Sequence, residues 1–121
     1  MKFIRDYDNI SCKDVLQCVF ELNKLDFHVY KLLRQKGESR ADDLAEKMKK
    51  ERSTVYRSLQ KLKSCGLCTK NTKNIDTGGY YHIYSCSNPK KVKKEMEICI
   101  DEWYKNMKKT LNDLEKELST Y

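Results

Sequence analysis

Between Ser53 and Ser64, hydroxyl, amide and guanidinium side chains recur at helical spacing. Val55, Leu59 and Leu62 fall on one helix face, and a rotation of about 100° per residue puts the polar residues opposite them. Those polar residues are Ser53, Arg57, Gln60 and Ser64, with Thr54 and Lys61 beside them. Such groups can contact phosphates and base edges, and a helix about 10–12 Å across fits a DNA major groove. The pattern favours nucleic-acid binding over an ordinary solvated helix face.

Positive charge is concentrated around this segment. The chain has 25 Lys and Arg residues against 18 Asp and Glu residues, a formal charge of +7. Residues 47–73 contain nine Lys or Arg residues and the single acid Glu51, so their local charge is +8 and the rest of the chain carries −1. Charge concentrated in this way is typical of a protein that binds a polyanion.

The residues give no pattern for catalysis. His28 and His82 are the only histidines, and neither is near a carboxylate cluster. No nucleophile with its base, paired acid and base, or phosphate-binding glycine loop is visible. We therefore predict that the protein is not an enzyme and uses no cofactor or metal.

Cys65 and Cys68 form a C-x-x-C pair, and Cys86 at the end of the predicted hairpin is a possible neighbour. Thiols at this spacing can bind a metal or form a redox pair, but a structural zinc site needs four ligands. We expect these cysteines to act as small apolar residues that pack in the protein interior. A thiol- or metal-responsive sensor stays open as an alternative.

No apolar run approaches the roughly 18 residues needed to span a bilayer, and the N-terminal charges are not followed by a signal-peptide core. Six cysteines without a secretory signal are expected to be reduced thiols. We therefore expect a soluble cytoplasmic protein that does not interact with a membrane.

The apolar periodicity predicts four helices before the hairpin. Ser11 with Asp14 resembles a capping box and opens a helix that continues to Asn23. The segment LDFHVYKLLRQKG predicts a second helix that ends at Gly37. Ser39 is expected to cap the third helix, and the fourth follows Glu51 and carries the polar face described above.

After Gly66 the sequence period changes to that of strands. LCTKNTKN and YYHIYSC flank the turn residues 76–79, which predicts a β-hairpin. The first strand carries Lys70 and Lys73, directly beside the polar helix. The alternative is an edge hairpin that lysines protect against aggregation.

Asn88 and Pro89 form a helix start, and no Gly or Pro follows before Tyr121. We expect one helix over 89–119, on the order of 46 Å long, with apolar residues repeating close to every eleven residues in three turns. A domain of this size cannot cover such a stripe, so we predict that it forms a dimer interface. The interface residues would be Met96, Ile100, Trp103, Met107, Leu111, Leu114 and Leu118.

This order of elements resembles a winged helix-turn-helix with a C-terminal dimerisation helix, a mainly α fold with a small β-hairpin (α+β). The segments that carry the resemblance are LDFHVYKLLRQKG, RADDLAEKM, RSTVYRSLQKLKSCGL and GGYYHIYSC. The sequence is similar to the DNA-binding domain of archaeal TrmB-like regulators, and more loosely to the MarR and ArsR groups. The implied divisions are an N-terminal extension and helix at 1–24, a DNA-binding domain at 25–88 and a dimerisation helix at 89–121.

The resemblance implies a homodimeric, sequence-specific regulator of transcription that binds double-stranded DNA. Ser53, Thr54, Tyr56 and Arg57 would lie in or beside the major groove, and wing lysines would meet phosphate or the minor groove. The full set of expected contacts is Arg52, Ser53, Thr54, Tyr56, Arg57, Gln60, Lys61, Lys70 and Lys73. Larger TrmB proteins add a sugar-binding domain without a counterpart here, so a sugar effector is not carried over from the resemblance, and the small-molecule effector is left unknown. A winged helix that serves as a protein-interaction module of a transcription complex is the other alternative.

Overall fold

The computed structural model describes residues 9–121, so residues 1–8 of the predicted N-terminal extension lie outside the described residues. The helices are α1 (Cys12–Val19), α2 (Lys24–Lys36), α3 (Ala41–Met48), α4 (Arg52–Ser64), α5 (Pro89–Leu111) and α6 (Leu114–Leu118). Between α4 and α5, the strands β1 (Cys68–Asn74) and β2 (Tyr80–Cys86) form an antiparallel hairpin. The predicted mainly α architecture with one small hairpin is confirmed.

The core lies between α2, α3, α4 and one face of the hairpin. Val55, Leu59 and Leu62, the apolar face predicted for α4, have no exposed surface. Leu44 of α3 is also fully buried, and Met48 packs against this core from a half-buried position. Burying one such side chain contributes roughly 1.5–3 kcal/mol, so the three side chains of the α4 stripe favour one rotation of the helix about its axis.

The boundary between α1 and α2 differs from the prediction. Ser11 and Asp14 form the expected capping box, but α1 does not continue to Asn23. Glu21 has a left-handed φ of +54°, and Asn23 opens α2 through a second capping box with Asp26. The Asn-x-x-Asp pattern satisfies the first N–H groups of a new helix, and this local gain outweighs the apolar continuity that suggested a longer α1.

Ser39 does not cap α3, which corrects a second expectation. The N-cap of α3 is Arg40, whose side chain makes no capping hydrogen bond. The Ser39 hydroxyl donates to the Gly37 carbonyl at 3.0 Å, and the Ser39 backbone pairs with Tyr84 through two hydrogen bonds of 3.0 and 2.8 Å. Ser39 thus forms an isolated β-bridge that attaches the outer edge of β2 to the helices.

The C-terminal helix starts as predicted, because Asn88 accepts from the backbone of Lys90 and Pro89 occupies the first helical position. It is not one helix over 89–119, however. A turn at residues 112–113 separates α5 from α6, so α5 is roughly 34 Å long.

The interruption has a local cause. The Thr110 hydroxyl donates to the Asn106 carbonyl at 2.9 Å, a side-chain bond that tends to bend helices. The Asp113 N–H then bonds to the Thr110 carbonyl, three residues back, as in a tightened final turn. Asn112 and Asp113 are poor helix formers. The absence of Gly and Pro after residue 89 was therefore not enough to predict one continuous helix.

One buried carboxylate connects α2 to α4. Asp26 is 3% exposed and accepts hydrogen bonds from the Ser58 hydroxyl at 2.7 Å, the Lys61 ammonium at 2.8 Å and the Asn23 backbone at 3.1 Å. Burial raises the pKa of Asp26, but the hydrogen bonds from Lys61, Ser58 and Asn23 outweigh it and hold the pKa below its usual value. The charged form of Asp26 is therefore part of the fold.

Replacing Asp26 with Asn should lower the free energy of unfolding at pH 7 by about 2–3 kcal/mol. This loss is smaller than the loss from breaking a fully buried ion pair, because Lys61 can turn to solvent. A depressed carboxyl pKa contributes stability above the unfolded pKa that is lost as the pH falls, so the wild type should weaken below about pH 4 more steeply than Asp26→Asn. Urea unfolding across this pH range measures both effects. Asp14→Asn, the same change in an exposed capping box, is the matched control, and equal losses in the two variants would contradict this account.

Candidate nucleic-acid interface

The outward face of α4 carries the groups predicted for it, with one exception treated below. Ser53, Arg57 and Ser64 are exposed, and Thr54 and Gln60 are half-buried. Because the opposite stripe is fully buried, these side chains have no alternative but to face away from the core. The face exposes the Ser53 hydroxyl and the Arg57 guanidinium, whereas the Ser64 hydroxyl donates to the Gln60 carbonyl at 2.9 Å.

Tyr56 joins this face to the hairpin. The guanidinium of Arg52 and the ammonium of Lys70 each lie 6.0 Å from the Tyr56 ring centroid, at the outer limit of a cation–π contact. The Gln60 side-chain amide donates to the Tyr56 hydroxyl. Arg52 also pairs with Asp42 of α3 at 2.5 Å. Cations from α4 and β1 therefore lie on one surface around the Tyr56 ring.

Lys70 and Lys73 project from opposite faces of the hairpin, since they lie three residues apart in a strand. Lys70 is opposite the buried Tyr84 and belongs to the face that packs on α4, whereas Lys73 is opposite Tyr81 on the outer face. The two lysines are thus not one patch, although both lie on β1 as predicted.

Lys61 is the exception on α4. Its ammonium donates to the Asp26 carboxylate and to the Glu21 carbonyl at 2.6 Å, so the side chain reaches towards α2. This corrects the expectation that Lys61 belongs to the outward groups. A flexible four-carbon stem lets a residue beside the polar face reach a buried anion, and periodicity alone does not reveal this.

The predicted apolar stripe of α5 and α6 is mostly uncovered. Met96 packs against the core, whereas the remaining members range from 40% exposed at Ile100 to 55% at Leu118. Met96 and Ile100 also line an apolar groove of about 670 Å³ between α1 and α5, with Val15 and Leu16 on the other side. An uncovered apolar surface of this length is unusual for a monomeric protein.

The C-x-x-C thiols belong to different elements of the fold. Cys68 is buried opposite Cys86 in the hairpin register, while Cys65 closes α4. Burial raises the pKa of Cys68 to about 12 and also raises the pKa values of Cys65 and Cys86, which disfavours reactive thiolates. In the described part of the chain, no three His, Cys, Asp or Glu residues are grouped so that they could hold a metal ion.

Three features define the class of the protein: α3 and α4 packed as a helix-turn-helix, the hairpin that follows as the wing, and a long C-terminal helix. This is the winged helix fold of transcriptional regulators. The chain belongs to the family of sugar-specific transcriptional regulators TrmB, which it matches over residues 16–90. Members of this family are regulators and not enzymes, as predicted from the residues.

The chain is 37% identical over 103 residues to an uncharacterised protein of Methanocaldococcus jannaschii, covering 85% of this chain and 78% of that protein. A possible transcriptional regulator from Methanosarcina mazei Go1 is 26% identical, with a TM-score of 0.74 over 91% of this chain and 94% of that one. TrmBL2, an archaeal chromatin protein described as showing a novel mode of DNA binding, shares the fold at 24% identity and a TM-score of 0.60, over 88% of this chain and 37% of that one.

None of the described helices is both long enough and apolar enough to cross a membrane.

N-ethylmaleimide at pH 7.5 should label the exposed Cys12 and Cys99 first and the buried Cys18 and Cys68 last, because exposure and thiolate population set the rate. Mass spectrometry of tryptic peptides over time gives the order, and labelling in denaturant provides the full-reaction control. Labelling of Cys65 or Cys68 as fast as Cys99 would contradict a packing role and revive the sensor alternative.

Proposed function

We propose that this protein is a homodimeric transcriptional regulator that binds specific double-stranded DNA sequences through α4 and the hairpin. The observation that carries the proposal is the division of α4 into a fully buried apolar stripe and an exposed face of hydroxyl and guanidinium groups. Membership of a family of transcriptional regulators supports it.

In the proposed complex α4 enters the major groove. Arg57, near the middle of the exposed face, is the candidate for a bidentate contact with guanine, and Ser53 and Thr54 in the first turn reach phosphate or base edges. The remaining proposed contacts are Arg52, Tyr56, Gln60, Lys70 and Lys73. Lys61 is left out because its ammonium is held by Asp26.

The proposed dimer buries the exposed stripe of α5 and α6 against the same stripe of a second copy. The two-fold axis would then relate two α4 helices, which must lie about 34–36 Å apart to enter successive major grooves on one side of the duplex. The operator is therefore expected to be an inverted repeat. Residues 89–121 are the dimerisation segment in this proposal, and residues 25–88 are the DNA-binding domain.

The two alternatives have less support. A winged helix that serves only protein contacts would not need cations on both α4 and β1 around Tyr56. A thiol sensor would need accessible thiolates, whereas burial raises the pKa of the thiols in question. Selection of bound sequences from a random duplex pool tests DNA binding and reveals the half-site spacing, and no enrichment at low salt would refute the proposal.

Arg57→Ala should weaken binding to the selected operator by about 1–3 kcal/mol and relax the preference at one base position. Arg57→Lys keeps the charge without the guanidinium fork, so it should retain the salt dependence but not the base preference. Lys63→Ala, which removes a charge elsewhere on α4, is the control and should preserve the preference. Titrations against all single-base operator variants measure these effects, and an unchanged preference in Arg57→Ala would remove Arg57 from base readout.

Met107→Glu should raise the dimer dissociation constant by at least tenfold, because the carboxylate would be buried against an apolar surface. Ile98 is a matched control: it is similarly exposed, and nine residues at about 100° each place it on the opposite side of α5. Ile98→Glu should leave dimerisation unchanged. Sedimentation equilibrium decides the matter, and a wild-type monomer at micromolar concentration, or equal effects of both changes, would contradict the proposed interface.

A further inference from the structure

A cavity of about 340 Å³ opens beside α4, outside the contacts considered so far. It lies between the start of α3, the start of α4 and β2, just beyond the backbone bridge between Ser39 and Tyr84. The lining residues that matter here are Arg40, Asp42, Arg52, Tyr56, Tyr81 and Tyr84. Since Arg52 and Tyr56 also belong to α4, the cavity is continuous with the proposed DNA-binding surface.

Two side chains in this cavity have hydrogen-bond donors without acceptors. Tyr84 is 1% exposed, and its buried hydroxyl has no hydrogen-bond partner in the described structure. A buried hydroxyl normally has a partner, so the Tyr84 hydroxyl is a donor that an acceptor entering the cavity would satisfy. Arg40 holds its guanidinium 4.8 Å from the Tyr81 ring centroid, and no carboxylate among residues 9–121 pairs with it.

Backbone N–H donors and the net charge of the cavity also favour a bound anion. Arg40 is the N-cap of α3 and offers no acceptor to the N–H groups of the first turn, where the helix dipole favours an anion. Arg52 contacts Asp42 through Nε, which leaves its two terminal nitrogens available. Two guanidinium groups against one carboxylate make the cavity positive.

We propose that this cavity is a phosphate-binding site that receives one backbone phosphate of the bound duplex, a proposal that rests on the function proposed above. A phosphate has several acceptor oxygens and suits guanidinium groups, a helix N-terminus and a tyrosine hydroxyl together. The location favours the duplex as its source, because the first helix of a helix-turn-helix crosses the DNA backbone while the second lies in the groove. The residues assigned to the phosphate are Arg40, Arg52 and Tyr84, with Tyr81 holding Arg40 in place.

The test pairs protein variants with operators in which one phosphate at a time is replaced by a neutral methylphosphonate. Arg40→Gln and Tyr84→Phe remove the proposed donors. Lys31→Gln, at an exposed position of α2, and Tyr104→Phe, at an exposed position of α5, are the matched controls. Circular dichroism verifies folding, and Tyr84→Phe should be at least as stable as the wild type because the hydroxyl it loses is unpaired.

The wild type should lose about tenfold in affinity at one particular linkage in each half-site, the size expected for one charge-assisted contact. Arg40→Gln should bind the unmodified operator about tenfold more weakly and show no further loss at that linkage. Tyr84→Phe should lose less affinity for the unmodified operator than Arg40→Gln, and it should likewise show no further loss at that linkage. The two controls should keep the full sensitivity of the wild type.

Titration of DNA-free protein with inorganic phosphate, followed by NMR, separates the possible sources of the phosphate. If all variants bind the operator and lose the same affinity on methylphosphonate replacement as the wild type, the proposed phosphate site is wrong. The proposed function would still stand. If the wild type binds no duplex, the proposed function fails. In that case, saturable phosphate binding that both variants lose would support a site for a free phosphate ester, and no phosphate binding would overturn the site.

Discussion

The orientation of α4 depends on the carboxylate of Asp26. Its partners are the backbone of Asn23, the N-cap of α2, and the side chains of Ser58 and Lys61 on α4. If α4 rotated or slid along its axis, a charge would be left unpaired inside the core, at a cost of roughly 3–5 kcal/mol. A buried ion pair adds little net stability over an apolar contact, so its main effect here is geometric. It fixes which residues of α4 face solvent.

The hairpin is held to the helices in a comparable way. Ser39 pairs with the backbone of Tyr84 on the outer edge of β2, and Tyr56 lies close to cations of α4 and β1 on the inner face. A two-stranded hairpin alone is marginal in water. These connections give the wing a defined position relative to α4, which a surface that contacts both groove and backbone requires.

The sequence predicted the elements whose signals are repeated along the chain, such as the apolar stripe of α4 and the alternation in the strands. It could not predict features that depend on a single long-range partner. Lys61 reads as a surface cation until Asp26, thirty-five residues away, is brought beside it. Tyr84 reads as one more aromatic residue of a strand, and Arg40 as an ordinary loop cation. The break after α5 was missed because it arises from side-chain hydrogen bonds such as that of Thr110, not from Gly or Pro.

The residue that follows α4, Gly66, lies against the start of α5. This residue follows α4 with a φ of +79°, and a Cβ there would lie within 2.4 Å of a Glu95 carboxylate oxygen on α5. Glycine adopts this left-handed backbone without strain, whereas a Cβ here would also displace the Glu95 carboxylate, the end of a flexible side chain. Val92 and Met96 pack the first turns of α5 against the same core as α4, so the two helices are linked through that core. A contact between two copies of α5 would therefore set the distance between two copies of α4, and an effector that altered that contact would change operator affinity without touching α4.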